Sequence, residues 1–303
     1  MYKLVPRLYK ILFVFSFIII LNACEKSEKI DSKILYVGAI PDQDPEKLQR
    51  LYGKLAAYLE NNLKVKVEYK PVIDYTAAVS AFRVGDLDLV WFGGLTGVQA
   101  RLQVEDANAI AQRPQDAQFH SVFIAHKSAG LTPFSGLKDL EELKGKRFTF
   151  GSPSSTSGRL MPQYFMAKSG LKLDELAGKT GFSKSHDITL KLVESGSYEV
   201  GALNEQVWLS RVKSGDVDLE KVGLLWTTPS YFDYHWVVNS ASLKTRFGPE
   251  FESKLKAALL RLDENNPEEK EILSLFAAHK FISTDNKNYE KIEKIGRQIG
   301  KIK

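Results

Sequence analysis

The hydroxyl residues Ser155, Thr156 and Ser157 stand directly before Gly158 in FGSPSSTSGRLMP, where a short apolar strand gives way to a helix. FTFG (Phe148 to Gly151) alternates like a strand, and RLMPQYFMAKSG (Arg159 to Gly170) reads as a helix closed by Gly170. Pro162 is tolerated only near a helix start, where the N–H it lacks has no intrahelical partner, so the helix begins at or just before Gly158. A helix start exposes about four unpaired N–H groups and about half a positive charge. Hydroxyls clustered beside such amides form a cradle for an anion. A single hydroxyl that merely caps the helix accounts for the same residues, and this stretch alone leaves both readings open.

Other polar residues fall where strands hand over to helices. Asp42 to Asp44 follow the first strand, Asp74 and Tyr75 precede a helix, Gly93, Gly94 and Thr96 follow WF, and Asn204 with Glu205 follows GAL. His186 in FSKSHD stands just ahead of the helix DITLKL, where it can donate a hydrogen bond to an anion or simply occupy a surface loop. Each position also has a structural reading, since glycines make turns, Asp74 suits an N-cap and Tyr75 suits packing. Convergence is the argument for a site, because open α/β sheets bind ligands beyond the carboxyl ends of their strands. His120, His126, His235 and His279 lack ligand-like spacing and read as structural or surface residues, so no metal site and no cofactor are expected. Ser155, His186 and Asp187 do not read as a hydrolase, because no nucleophile elbow is present and Asp187 is too close in sequence to orient its neighbour.

The elements that must carry these residues alternate. KILYVGAIP (Lys33 to Pro41) is a strand, and PEKLQRLYGKLAAYLENNL places Leu48, Leu51, Leu55, Leu59 and Leu63 at helical spacing. VKVEYKPV, DYTAAVSAFRVGD and DLDLVWFGG continue as strand, helix, strand, which predicts a parallel sheet. KDLEELKGKRFTFG repeats helix, turn and strand, and DITLKLVESGSYEVGALN repeats the arrangement of DYTAAVSAFRVGDLDLVWFGG. VGLLWTTPSYFDYHWVVNSA holds two strands joined by an aromatic link, and helices follow, the last with Tyr289, Ile292, Ile295 and Ile299 on one face. A second lobe inserted over 124–229 makes the chain cross between lobes near SVFIAH and near YHWVV, both extended and apolar, as a two-strand hinge requires.

Ahead of all this, Lys3, Arg7 and Lys10 precede the apolar run ILFVFSFIII and then LNAC. The spacing of Leu21 and Ala23 before Cys24, the chain's one cysteine, resembles the lipobox of bacterial lipoproteins. Residues 1–23 are then a lipoprotein signal peptide, Cys24 is the lipidated N-terminus, and 24–32 form a polar tether. Disulfides, a cysteine nucleophile and thiolate metal sites drop out with that cysteine. The formal charge of +5 falls to +2 without the three basic leader residues, so nothing points to nucleic acid.

DYTAAVSAFRVGDLDLVWFGG, GSPSSTSGRLMP and SHD before a helix resemble the periplasmic binding proteins of phosphate/phosphite/phosphonate-type ABC transporters, along nearly all of the mature chain. Within that family AIPDQDPEKLQRLYGKLAAYL, AQFHSVFIA and ESGSYEVGALNEQVW look most like the branch of putative selenate transporter binding proteins. The resemblance implies an α/β type II periplasmic-binding-protein fold, with two doubly wound lobes (33–123 plus 230–303, and 124–229) joined by a two-strand hinge. It also implies that Tyr75, Gly93, Gly94, Ser155, Thr156, Ser157 and His186 face an oxyanion in the cleft, with Gly158 completing the turn. One departure stands out: where phosphonate binders are expected to place a carboxylate after the inserted lobe's strand, this chain has Asn204 ahead of Glu205. Asn204 facing the cleft favours a proton-free dianion such as selenate; Glu205 facing it favours phosphonate or phosphite.

The expected protein is a monomeric, non-catalytic, lipid-anchored solute-binding subunit on the periplasmic or cell-surface face of a bacterial membrane. Its partners are a small tetrahedral oxyanion and ABC permease subunits. A sensory lipoprotein that presents the ligand to a kinase, and an enzyme acting on a small anion, are the alternatives. Arg159, directly after the cradle, is a further candidate to point at the ligand.

Overall fold

The structure is a computed structural model that describes residues 33–303; the leader, Cys24 and the tether lie outside the described residues. Lys33–Lys303 form one compact unit.

Local chemistry sets the first elements. After β1 (Ile34–Ala39), Asp44 caps α1 (Pro45–Leu63) by accepting the N–H groups of Glu46 and Lys47, and Pro45 fills the first helical position, which needs no donor. Leu48, Leu51, Tyr52, Leu55 and Leu59 bury one face, and the helix ends at a left-handed Lys64. β2 (Lys66–Tyr69), α2 (Tyr75–Arg83), β3 (Leu89–Phe92), α3 (Gly94–Arg101) and β4 (Ala107–Gln112) follow. The chain then runs through β5 (Ser121–His126), β6 (Phe148–Phe150), α4 (Met161–Ser169), β7 (Gly181–Phe182), α5 (His186–Glu194), β8 (Val200–Asn204), α6 (Glu205–Ser214) and β9 (Val222–Thr227). It finishes with β10 (His235–Asn239), α7 (Ser240–Phe247), α8 (Phe251–Leu260), α9 (Pro267–Leu275), β11 (Ile282–Ser283) and α10 (Glu290–Gln298). The expected KDLEEL helix is a 3₁₀ stretch, Leu137–Leu143.

Two sheets result. One has the order β11-β4-β10-β3-β1-β2 and the other β7-β6-β8-β5-β9. Each is mixed, not parallel as the alternation suggested: β10 runs against β3 and β4, and β5 runs against β8 and β9. The cause is how the chain changes sheets. Ser121, the first residue of β5, pairs with Asn204 at the end of β8, and His235, the first of β10, pairs with Phe92 at the end of β3. Each crossing strand enters at the edge where its neighbours finish, so it must run backwards through them.

The crossings are joined by an antiparallel bridge between Phe119 and Tyr231, with N–H to carbonyl distances of 2.8 and 3.0 Å in the two directions. β5 belongs to the second sheet from Ser121 onward, so the expected boundary between 123 and 124 falls inside a strand. One apolar core reaches both sheets, and a smaller one, with Leu190, Leu203 and Trp208, lies under α5 and α6. Among the described residues no helix is long and apolar enough to cross a membrane.

Candidate functional site

The carboxyl edges of the two sheets face one another across the crossings, and the hydroxyl turn lies between them. β6 leads through Gly151 into Ser155, whose Oγ accepts the N–H of Gly158 at 2.9 Å. Ser155 is therefore the N-cap, as one of the two sequence readings held. The first turn, Thr156–Leu160, is wound as a π-helix before α4 begins, with Leu160 N–H bonded to the Ser155 carbonyl at 2.9 Å. That wide turn leaves the amides of Thr156 and Ser157 at the open end of the helix without intrahelical partners. Gly158 permits it: a Cβ there would lie 3.0 Å from Ser155 Oγ, 3.2 Å from Gly151 Cα and 3.2 Å from His186 Cε1.

The Gly93-Gly94 loop packs directly against this turn. Leu95 N–H donates to Thr156 Oγ1 at 2.9 Å, and Gly94 N–H donates to Asp233 Oδ1 at 2.8 Å. Gly93 has no room for a side chain, since its Cβ would stand 3.1 Å from Thr156 Oγ1 and 3.2 Å from Asp233 Oδ1. Tyr75 opens α2 behind the Asp74 cap and is buried, its hydroxyl beside that of Ser155 but without a hydrogen-bond partner. Ser157 Oγ, close to the Tyr231 hydroxyl, is likewise unpartnered, as is Asp233 Oδ2. Buried polar atoms are nearly always paired, and leaving one unpaired costs about 1–3 kcal/mol. Tyr75, Ser157 and Asp233 thus turn two hydroxyls and one carboxylate oxygen towards the same turn with nothing to bind.

Asp233 is the residue that sequence reasoning missed. Burial pushes its carboxyl up to about 7; the Gly94 N–H and the Thr156 hydroxyl pull the other way, and Asp116 adds to the rise. The available signal was a lone acid inside the apolar link YFDYHWVV, a position where a carboxyl must find a partner. Tyr231 and Tyr234 stand in the same link. Tyr231 hydrogen-bonds Ser121 Oγ at 2.7 Å, which ties one crossing to the other.

His186 reaches the turn but spends both ring nitrogens on protein. Nδ1 accepts the Asn204 N–H at 3.4 Å, and Nε2 stands 3.3 Å from the Tyr234 hydroxyl, so the bonding assigns the Nε2–H tautomer. Burial lowers its pKa to about 4, against a smaller opposing effect of Asp187, and the ring is neutral. The turn that aims it contains Lys184 in the left-handed region at φ 77, a costly choice for a residue with a Cβ. The Tyr234 hydroxyl donates to Asp42 Oδ2 at 2.7 Å and receives Asn204 Nδ2 at 3.1 Å.

Asn204 ends β8 and caps α6, its Oδ1 taking the N–H groups of Gln206 and Val207. Its side chain is buried and bonded at both the oxygen and the nitrogen, while Glu205 is half-buried in the first turn of α6. Asn204 spends its oxygen on the α6 cap and its amide on Tyr234, while the Glu205 carboxylate lies near enough to Tyr231, beside Ser157, to add to the rise that burial causes in the pKa of that hydroxyl. Asp233, on the returning crossing, brings a second carboxylate beside the turn. Arg159 lies with its guanidinium 4.0 Å from the Phe150 ring centre and 5.1 Å from that of Phe182. Burial lowers its pKa to about 10, and its Nε and Nη1 have no partner.

His235 is buried and stacked on Tyr289 at 3.7 Å, His120 bonds the Thr228 carbonyl at 2.6 Å, and His126 and His279 lie near the surface. Among the described residues no group of three or more His, Cys, Asp or Glu could hold a metal.

Residues 37–289 match the family described as ABC transporter, phosphonate, periplasmic substrate-binding protein. The chain belongs to that family. Among its relatives is the probable ABC transporter phosphite binding protein PhnD1 of Prochlorococcus marinus (strain MIT 9301), 48% identical over 272 residues, which cover 89% of this chain and 91% of PhnD1. The phosphonates-binding periplasmic protein of Escherichia coli (strain K12) is 27% identical over 225 residues, 71% of this chain and 63% of that protein. In three dimensions the chain matches the structure of PhnD1 in complex with methylphosphonate, with a TM-score of 0.88 over 90% of this chain and 100% of that one. This member of the phosphonate-binding family therefore has the type II periplasmic-binding-protein fold, and its homologues are transport components, not enzymes.

Proposed function

We propose that this chain captures a singly protonated phosphorus oxyanion, phosphite or a phosphonate with a small substituent, between its two sheets, as the solute-binding subunit of an ABC importer. The observation that carries this reading is Asp233 Oδ2, a buried carboxylate oxygen without a partner beside two unpartnered hydroxyls. Asp233, whose burial pushes its pKa up to about 7, accepts the hydrogen of a P–OH group when ionised, and in that form it repels sulfate or selenate, which carry no proton at neutral pH. Asn204 facing the cleft would favour selenate; the Asp233 carboxylate beside the turn supports a ligand that carries a proton instead. The oxyanion oxygens would take the Thr156 and Ser157 amides and the hydroxyls of Tyr75 and Ser157, while Asp233 Oδ2 would accept the ligand's remaining proton. Phosphite is named for one relative and methylphosphonate for one matched structure, and both ligands fit this donor set.

Each sheet is the centre of one lobe in this reading, and ligand capture is a hinge closure about the paired crossings at Phe119 and Tyr231. Ser155 Oγ accepts the Gly158 N–H, and the His186 nitrogens face Asn204 and Tyr234, which supports a binding role for both residues and not a nucleophile and base pair. Bound anion should be recovered unchanged after long incubation. The lipid on Cys24 would hold the protein at the membrane as a monomer beside its permease, and a Cys24→Ser precursor should lose that attachment.

Calorimetry of protein beginning after Cys24, titrated with phosphite, methylphosphonate, phosphate, sulfate and selenate, tests the proposal. Phosphite or methylphosphonate should bind far above sulfate and selenate. Tight selenate binding, or no binding of either phosphorus ligand at millimolar concentration by folded protein, defeats it.

A further inference from the structure

The two halves meet along two seams. One passes through the cradle, where Leu95 N–H meets Thr156 Oγ1 and Gly93 packs on both Thr156 and Asp233. The second joins the loop after β1 to the start of α5. There the His186 N–H donates to the Asp42 carbonyl at 3.0 Å, and the Asp44 N–H donates to Asp187 Oδ2 at 2.9 Å.

Asp187 supplies the side-chain acceptor of this second seam, near Asp42, whose pKa, raised by burial, it raises slightly further, and is 8% exposed. Its other oxygen, Oδ1, receives Arg211 Nε at 2.9 Å, and Arg211 in turn reaches Asp216 Oδ2 with Nη1 at 3.0 Å. Both carboxylate oxygens are therefore engaged by protein, which leaves none for a ligand. The placement is electrostatically favourable twice. Asp187 lies in the first turn of α5, and the N–H it receives belongs to Asp44, the cap of α1. The positive ends of two helices, one from each half, thus share a single carboxylate. Without it, these two helix ends would face each other with an unpaired N–H between them. Arg211, on the same half as Asp187, holds the carboxylate in the rotamer that meets Asp44.

We propose that Asp187 is a positioning residue for ligand capture: it stabilises the closed arrangement by bridging the start of α5 to the cap of α1, without touching the ligand. The proposal rests on the reading that the halves close around the anion. A residue that favours the closed form raises the affinity for every ligand by the same factor, because it acts on the conformational equilibrium and not on the ligand. Its effect appears mainly in the rate of release.

The experiment uses protein beginning after Cys24, with Asp187→Ala and the isosteric Asp187→Asn, each checked for folding by circular dichroism. Stopped-flow release of phosphite and of methylphosphonate should speed up about tenfold in Asp187→Ala, the size expected for losing a hydrogen bond to a charged group. The factor should be the same for both ligands. Asp187→Asn, which keeps an acceptor for the Asp44 N–H but loses the charge, should fall between Asp187→Ala and wild type. Small-angle scattering of ligand-free protein should give Asp187→Ala a larger radius of gyration than wild type, and the two should coincide at saturating ligand.

Release rates within twofold of wild type in both variants, or a changed ratio between the two ligands, overturns the proposal. Wild type that binds neither anion overturns the functional reading instead. The ligand-free scattering then decides the role of Asp187 by itself: equal radii for wild type and Asp187→Ala reject it, and an expanded variant supports it.

Discussion

Two clusters of buried polar side chains lie side by side between the sheets, and they differ in one respect. In the first, His186, Asn204, Tyr234 and Asp42 satisfy one another: the tyrosine hydroxyl donates to the carboxylate and accepts from the amide, and the imidazole uses both nitrogens. In the second, Tyr75, Ser157 and Asp233 each retain a buried atom without a partner. Burial and residue types are similar in the two, so neither distinguishes scaffold from site. The pairing does. A closed network holds a shape, while open valences converging on one turn mark where an absent ligand completes the bonding.

The sharpest way to break this comparison is Asp233→Asn. If Asp233 accepts a proton from the ligand, the amide loses that acceptor and leaves a P–OH group facing a donor. Phosphite affinity should fall by about 2–5 kcal/mol, the range for disrupting a buried charge-assisted pair. Discrimination against sulfate, read by parallel calorimetric titrations, should narrow at the same time. A variant that still prefers phosphite over sulfate by the wild-type factor would return the specificity to the hydroxyl turn.

Ser157→Ala and Tyr75→Phe come next. Each should weaken binding by about 1–3 kcal/mol, since a hydrogen bond to a charged group is lost. Neither should destabilise ligand-free protein to denaturant, because the atom removed has no partner in the absence of ligand. Asn204→Ala should behave in the opposite way. It loses the cap of α6 and the bond to Tyr234, so unfolding should become easier by about 0.5–2 kcal/mol, with a smaller change in affinity. Equal losses of stability in all three variants would erase the distinction between open and closed clusters.

This contrast also explains what could be read before the fold was known. The helix start at 155 to 158, the glycine loop at 93 and 94 and the position of Tyr75 were legible because caps, turns and strand ends have local chemistry. The alternation of strands and helices was legible for the same reason, since periodicity is local. The reversed direction of β5 and β10 was not, because it follows from the chain changing sheets, a long-range fact. Asp233 was hidden similarly: its meaning depends on Gly94, 139 positions away in sequence. The position of His186 beside the cradle was legible, but its neighbours Asn204 and Tyr234, 18 and 48 positions away, were not.

A subtler test uses pH on ligand-free protein. Asp233 and Asp42 have folded-state values of about 7 and about 6, raised from 3.8 by burial. The folded protein therefore binds more protons than the unfolded chain between about 4 and these values, so their contribution is complete at low pH and lost as pH rises through 6 and then 7. His186 works in reverse: lowered from 6.5 to about 4, its contribution is complete above 6.5 and lost as pH falls. The groups oppose one another between about 4 and 6, and above 6.5 the loss of the Asp233 proton stands alone among them. Stability from denaturant unfolding should decline between pH 6.5 and 8 in wild type more than in Asp233→Asn. Parallel pH profiles would place the titration elsewhere.

The smallest expected effect concerns Arg159, which follows the cradle in sequence and is the cation best placed by order alone to meet an anion. Its guanidinium is stacked on Phe150 and Phe182, with Nε and Nη1 unpartnered like the atoms of the open cluster. An unpaired donor could therefore be mistaken for part of the site. The difference is in what surrounds it: aromatic faces and, across the gap, Lys301, whose pKa is lowered by burial and then by Arg159. A lowered cation beside another cation describes a group tolerated by its packing, not one poised for a ligand. Arg159→Met keeps the apolar stem on the rings and removes the uncompensated charge, a change that is often neutral or stabilising. Phosphite affinity should stay within about twofold, or roughly 0.4 kcal/mol, and the melting temperature should hold or rise. A tenfold loss of affinity with stability unchanged would draw Arg159 into the open cluster and make the cradle a charged one.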